Sequence, residues 1–136
     1  MDCVFCKIVK REIPASIVYE DAHTLAFMDA GQVNPGHVLV ATKAHVDNIY
    51  GLNAAQAAAV FQAATKIAQT VKRTFHPDGM SLLQANEPAG FQTVMHFHIH
   101  VLPRFKDDGV TLTWPAKNPP REKLGEWAAQ IKAALG

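Results

Sequence analysis

Cysteine is scarce in this chain: two thiols, Cys3 and Cys6, in 136 residues. That is too few for a disulfide scaffold and points to a reducing compartment. No charge of one sign is in surplus either. Thirteen basic side chains stand against twelve acidic ones, a formal net charge of +1. No overall field therefore draws the protein to nucleic acid or to an anionic membrane, and any phosphate site must be local. No apolar run approaches the roughly 18 residues that span a bilayer. The opening Met1-Asp2-Cys3 lacks the basic-then-apolar pattern of a secretory signal, so the expected location is the cytoplasm. Repeats and low-complexity segments are missing too. What the chain does have is 49% hydrophobic and 18% charged residues, enough apolar surface for one core, read as a single domain over residues 1–136. It also has seven histidines, and their positions matter more than their number.

Residues 17–20 (Ile-Val-Tyr-Glu) and 24–28 (Thr-Leu-Ala-Phe-Met) read as short strands around a turn at 21–23. Residues 37–41 read as a third strand, entered through Asn34-Pro35-Gly36. After Asn53, a good N-cap, Val60, Phe61, Ala64, Ile67, Ala68, Val71 and Phe75 recur at helical spacing. His76-Pro77-Asp78-Gly79 ends that helix, with Gly79 permitting the turn. Residues 80–84 and 94–102 read as the fourth and fifth strands, the last closed by Pro103, which has no N–H for the ladder. A proline-bearing loop leads to a short final helix. There Leu124, Trp127, Ala128, Ile131 and Leu135 line one face, which predicts that Trp127 belongs to the core. Strands, one long helix and strands again predict an α+β domain with a five-stranded, mainly antiparallel sheet.

The fifth strand carries the chemistry. Side chains alternate faces along a strand, so His96, His98 and His100 share one face. Phe97, Ile99 and Val101 share the other and can pack under the long helix. Imidazoles this close repel one another once protonated, so a merely solvated row explains them poorly. Two chemistries fit: a metal held by three histidines with an open coordination position, and nucleophilic catalysis by one imidazole oriented by the others. Spacing leaves both open. Just upstream, Asn86, Gly90, Gln92 and Thr93 supply neutral donors and acceptors suited to phosphoryl oxygens, and Glu87 is the only carboxylate near them.

From Asn86 through Gln92-Thr93-Val94 to His96-Phe97-His98-Ile99-His100-Val101-Leu102, the chain resembles the signature of the histidine triad (HIT) family. Phe5-Cys6-Lys7-Ile8 with Glu12-Ile13-Pro14 is similar to that family's opening. Leu25-Ala26-Phe27-Met28-Asp29 and Pro35-Gly36-His37-Val38-Leu39-Val40, followed by Lys43-Ala44-His45, are similar to its nucleotide-binding strands. The likeness covers residues 3–104 in consistent order, and 105–136 more loosely. It implies a half-barrel α+β fold, usually a homodimer whose sheets join across the interface. It also implies a nucleotidyl hydrolase or transferase working at the α-phosphorus of purine nucleoside phosphoramidates or related conjugates. By position His98 would be the nucleophile, and His100 and His37 would contact the phosphate. Gln92 and Asn86 would hold its oxygens, and Thr93, in place of the commoner serine, would help the leaving group depart. Asp29 would bind ribose hydroxyls. Phe5, Ile8, Phe27 and Leu39 would enclose the base, although the same four suit plain core packing. Phe91 stands where many members carry glycine. A dinucleoside polyphosphate hydrolase of the same family is an alternative, as is a non-catalytic nucleotide-binding or interaction module.

Cys3-x-x-Cys6 alone is a weak signal: unremarkable thiols, or a redox pair, although a thioredoxin-like motif belongs between a strand and a helix. With His45 and His96 it makes the closed Cys2His2 set that structural zinc prefers. The resemblance to zinc-carrying bacterial members implies that these four residues hold structural Zn2+, with His96 facing the metal and His98 the substrate. Projection of both histidines from one strand face weighs against that split. No organic cofactor, membrane or specific nucleic-acid partner is expected. Trp114 falls where some members send a tryptophan towards the partner's active site, with local packing as the other reading. Lys7, Lys10 and Arg11, and Lys66, Lys72 and Arg73 on the helix, read as solvated surface, and His23 and His76 as turn residues.

Overall fold

Alternation of apolar residues along the strands decides the architecture. The computed structural model describes residues 2–136. Strands β1 (Ile17–Glu20), β2 (Thr24–Met28), β3 (Val38–Thr42), β4 (Gly79–Leu83) and β5 (His98–Arg104) form one antiparallel sheet in the order β1-β2-β3-β5-β4. Ala26, Val38, Val40, Ile99 and Val101, with Phe97 just before β5, point to one face, where they meet the helix α2 (Ala54–Phe75). Leu25, Phe27, Leu39 and Ala41 point to the other, where they meet Phe5 and Ile8 of the helix α1 (Val4–Val9). His98 and His100 lie on this second face because period two leaves them no other.

The cap foreseen for α2 is there in full. Asn53 Oδ1 accepts from the Gln56 N–H at 2.8 Å, and Gln56 Oε1 accepts from the Asn53 N–H at 3.0 Å, a closed capping box. Val60, Ala63, Ala64, Ile67 and Val71 are the buried positions. Phe61 is 62% exposed, because it sits about 100° round the helix from Val60 and misses the stripe. The helix ends at His76 in the left-handed conformation (φ 52°), its N–H donating to the Lys72 carbonyl. The turn therefore belongs to His76, and Gly79 is the first residue of β4.

One element was unforeseen, and three further expectations need correction. α1 carries six residues, too few for periodicity to reveal, and Cys3 caps it by accepting the Cys6 N–H on Sγ at 3.4 Å. β5 begins at His98, four residues late, because the His96 N–H turns back to the Val94 carbonyl at 2.8 Å while the Phe97 N–H leaves the ladder for the Val46 carbonyl. The same strand runs through Pro103, paired with Met80, to Arg104. Beyond Val101 it has no β3 partner, so a residue without an N–H loses no bond on that open side. Finally, α3 (Arg121–Leu135) buries nothing: Leu124, Trp127 and Ile131 are 48%, 47% and 64% exposed. α1 and α2 already occupy the sheet faces, so its apolar stripe finds no partner among the described residues. Trp114 is likewise exposed. No helix of the described residues is long and apolar enough to cross a membrane.

Candidate functional site

A carbonyl oxygen can only accept a hydrogen bond, and that fixes the protons on the site's imidazoles. His98 Nδ1 lies 2.7 Å from the His96 carbonyl oxygen, so Nδ1 carries the hydrogen and Nε2 keeps its lone pair. His96 Nε2 lies 2.6 Å from the Thr42 carbonyl oxygen, so its free lone pair is on Nδ1. His37 Nδ1 accepts from the Val33 N–H at 3.3 Å, which leaves the hydrogen on Nε2. That Nε2–H donates to His100 Nδ1 at 2.9 Å, so His100 in turn keeps a hydrogen on Nε2. The result is one imidazole with a free lone pair, His98, beside one with a free donor, His100; their ring centres are 5.1 Å apart.

Burial keeps these rings neutral. His100 is pushed down to about 4 by loss of solvent, with His98 and His37 adding to the effect and Asp29 opposing it. Burial also holds His98 below the usual histidine range, against the pull of its bond to the His96 carbonyl and of the Asp29 charge. His37 is lowered by burial too, with Asp29 opposing. Asp29 is held by the Gly31 N–H on Oδ1 at 2.7 Å, and its Oδ2 stands 3.5 Å from His37 Nε2.

A cleft of about 750 Å³ opens over this face. Phe5, Ile8, Phe27, Leu39, Asp29, Thr93, His98 and His100, all singled out from the sequence, line it. The two readings of the apolar four coexist: they pack on one another as a core cluster, and they also wall the cleft. Phe5 stands edge-on to Phe27 at 5.2 Å and to His98 at 4.9 Å. His37, His96, Asn86 and Gln92 do not line it. Asn86 is taken up by Gln84 and by the Ile49 N–H, which donates to its Oδ1 at 2.8 Å. Gln92 braces the loop: its Oε1 accepts from the Glu87 N–H, and its Nε2 donates to the Asp47 and Val94 carbonyls. Ser16 and Val94 also line the cleft without having been foreseen. Neither carries a pattern of its own, and only the fold brings them there.

Cys3, Cys6, His45 and His96 gather beside the cleft with their ligand atoms all within 4.8 Å of one another. His96 Nδ1 is 3.3 Å from Cys3 Sγ, and His45 Nδ1 is 3.3 Å from Cys6 Sγ. His45 donates through Nε2 to Asp47 Oδ1 at 2.8 Å, so both imidazoles turn a lone pair towards the sulfurs. Two thiols and two oriented imidazole lone pairs, one backed by a carboxylate, are a donor set that fits zinc. Asp47 was missed, although its spacing in His45-Val46-Asp47 could have suggested it. The one-face objection to His96 and His98 serving different partners falls away: the chain bends at His96, and Phe5 stands edge-on to both rings, at 5.8 and 4.9 Å.

A further group of Asp29, His37 and His100 also has its ligand atoms within 4.8 Å. It fits a metal poorly, since His37 Nε2 and His100 Nδ1 already share a proton and His37 Nδ1 is committed to the Val33 N–H.

Comparison with known proteins bears on the whole arrangement. The HIT domain pattern matches residues 10–107. A HIT family protein from Bacillus anthracis superposes with a TM-score of 0.95 at 38% identity, covering 99% of this chain and 98% of that one. The adenosine 5′-monophosphoramidase hnt1 of Schizosaccharomyces pombe is 32% identical over 136 residues, 99% of each chain. A Zn-bound histidine triad family protein from Mycobacterium smegmatis has a TM-score of 0.76 at 32% identity over 98% of each chain. The matched span holds the whole sheet, the long helix and the three histidines at 96, 98 and 100, and on that ground the chain belongs to the HIT domain family.

Proposed function

We propose that the chain hydrolyses purine nucleoside phosphoramidates at the α-phosphorus, with His98 as the nucleophile. The observation that carries this reading is the Nε2 lone pair of His98, left free beside the cleft while Nδ1–H is tied to the His96 carbonyl. The similarity to an adenosine 5′-monophosphoramidase supports it. Nε2 attacks phosphorus in line, the P–N bond breaks, and the amine leaves with a proton taken from solvent. A nucleotidyl-imidazole remains, its ring positively charged and hence a good leaving group. Water then attacks phosphorus, returns the electron pair to Nε2, gives a proton back to solvent, and releases the nucleoside monophosphate. His100 Nε2–H donates to a non-bridging oxygen where charge builds up. His37 acts through His100, whose Nδ1 it holds. The Thr93 hydroxyl assists the departing amine, Asp29 receives the ribose hydroxyls, and the base lies against Phe5, Ile8, Phe27 and Leu39.

The test is intact-protein mass after a short reaction with adenosine 5′-phosphoramidate, quenched at neutral or alkaline pH because a phosphohistidine is acid-labile. Wild type should carry an adenylyl adduct and His98→Ala none. Turnover by His98→Ala should fall by roughly 10⁴-fold or more while AMP still binds. Turnover near that of wild type in the variant would remove the covalent mechanism.

Cys3, Cys6, His45 and His96 would hold a structural Zn2+, whose chemistry is to tie the start of α1 to the approach to β5. The Zn-bound relative and the lone-pair orientation support this. Metal analysis should find about one zinc per chain, and Cys3→Ser with Cys6→Ser should lower the melting temperature before it lowers turnover. Loss of turnover with no loss of stability would argue for a catalytic metal. The free thiols suit a reducing, cytoplasmic setting. A second copy of the chain is the expected partner: Leu82 and Leu83 are exposed on the edge strand β4, and Trp114, Trp127 and Ile131 are exposed in the residues that follow β5. Light scattering should give twice the 14.8 kDa chain mass, and a monomer at micromolar concentration would rule the dimer out.

A further inference from the structure

We propose that Cys3 and Cys6 form a reversible intrachain disulfide, with a peroxide as oxidant, and that its formation weakens the neighbouring nucleotide site. The inference rests on the reading of the cleft as a nucleotide site, and it holds with or without a metal between the thiols.

The two cysteines face each other across the first turn of α1. Cys3 is the cap and Cys6 lies three residues on, with its N–H donating to Cys3 Sγ at 3.4 Å. Both thiols are free, and their sulfurs belong to a group of atoms within 4.8 Å of one another. Cys3 has extended dihedrals (φ −100°, ψ 117°), outside the helix proper. It can close on Cys6 by rotation at the start of the chain without unwinding α1, bringing the sulfurs to the bond length of about 2 Å that a disulfide needs. Accessibility divides the roles. Cys3 is only 9% exposed, whereas Cys6 is half-buried and meets an oxidant first.

In the first step the Cys6 sulfur attacks one peroxide oxygen, the O–O bond breaks, and a sulfenic acid and water result. Cys3 then attacks the Cys6 sulfur, the S–O bond breaks, and hydroxide leaves and takes up the thiol proton. In sum, two thiols and one hydrogen peroxide give a disulfide and two waters; the thiols lose two electrons and the peroxide gains them. A zinc ion held by the two thiolates would leave as the free dication, with two solvent protons completing the balance.

The coupling to the cleft runs through two residues. His96 turns Nδ1 towards Cys3 Sγ at 3.3 Å and Cys6 Sγ at 3.6 Å, and its own carbonyl fixes the His98 tautomer at 2.7 Å. Bonding the sulfurs to each other removes the thiol hydrogens that His96 Nδ1 can accept, and His96 is the residue that holds His98. Phe5 lies between the two cysteines in sequence and stands edge-on to His98 at 4.9 Å as part of the cleft wall. A change in the first turn of α1 moves that wall.

The experiment titrates the reduced chain, as purified and again after chelation, with hydrogen peroxide. Alkylation and intact mass read the thiols, a metallochromic dye reads zinc in solution, and calorimetry reads AMP affinity. The expected result is a chain lighter by two hydrogens with neither cysteine alkylated, AMP bound about tenfold more weakly, and recovery with dithiothreitol and, for the purified form, added zinc. Cys6→Ser should show no such oxidation-dependent loss, which separates the thiols from methionine oxidation. A complete disulfide with unchanged AMP affinity, a bridge between two chains, or the same loss in Cys6→Ser would overturn the proposal. A reduced chain that binds no AMP would defeat the cleft reading and the switch together. A reduced chain that binds AMP but gives any of those three results on oxidation would defeat the switch alone. Absence of zinc at the outset leaves the thiol and affinity readouts to decide.

Discussion

At the scale of single residues the site is organised by where protons must sit. The Val33 N–H, with no chemistry of its own, sets His37 as a donor through Nε2 and thereby His100 as a donor through Nε2. Removing His37 should therefore cost more in turnover than in binding. For His37→Ala, kcat should fall by roughly 10²-fold with KM changed little, because His100 is then free to present the wrong nitrogen. Steady-state kinetics on adenosine 5′-phosphoramidate reads both constants, and a rise in KM alone would mean that His37 serves binding only. The imidazoles were visible in the sequence because three of them alternate. Their protons were not, since each is assigned by a backbone group from another element: Val33, Thr42 or the bend at His96. Asn86 and Gln92 show the same limit from the other side. The sequence reveals an amide, but not the Gln84, Glu87 and Asp47 groups that already occupy it.

At the scale of elements, β2 and β3 were readable because burial on both faces makes them short, continuous apolar runs between turn residues, and α2 because its stripe and its cap agree. α1 was invisible, and its cap is a cysteine, outside the usual capping residues. The start of β5 was misplaced because the bonds that break the ladder, His96 to Val94 and Phe97 to Val46, depend on a loop 51 residues away in the chain for one of their partners. The turn before β3 offers a test of how α2 meets the sheet. Gly36 has φ +97°, and a Cβ there would stand 2.8 Å from Cδ2 of Phe75 in the last turn of α2. Gly36→Ala should therefore cost about 1–3 kcal/mol by urea unfolding, from backbone strain and the clash together. In a Phe75→Ala background the clash is gone and the strain remains, so the cost should shrink without vanishing. An equal cost in both backgrounds would mean that the ring moves aside freely. Asn53→Ala, which opens the capping box, should cost about 1 kcal/mol.

At the scale of the whole molecule, what the sequence leaves open is whatever the chain does not contain. The stripe on α3 was legible, but none of the described residues buries it. Stability against pH is a property the chain does fix by itself. An unfolded histidine takes up its proton near 6.5, whereas folded His100 holds off until about 4 because burial and two neighbouring imidazoles oppose the charge. Between those values the unfolded chain binds more protons than the folded one, so the contribution of His100 is full above about pH 6.5 and is lost as pH falls towards about 4. Lowered His37 works in the same direction. Glu20, whose carboxyl is held below its ordinary value mainly by Lys43, adds a loss that begins only at lower pH, below about 4.5. Urea unfolding from pH 7.5 to 4 should therefore show stability declining from about pH 6.5, and His100→Gln should make that decline shallower. An unchanged slope in His100→Gln would mean that the ring is not held neutral by the fold. The donor assigned to its Nε2 would then need a different explanation, because a protonated ring offers hydrogens from both nitrogens and could not accept from His37.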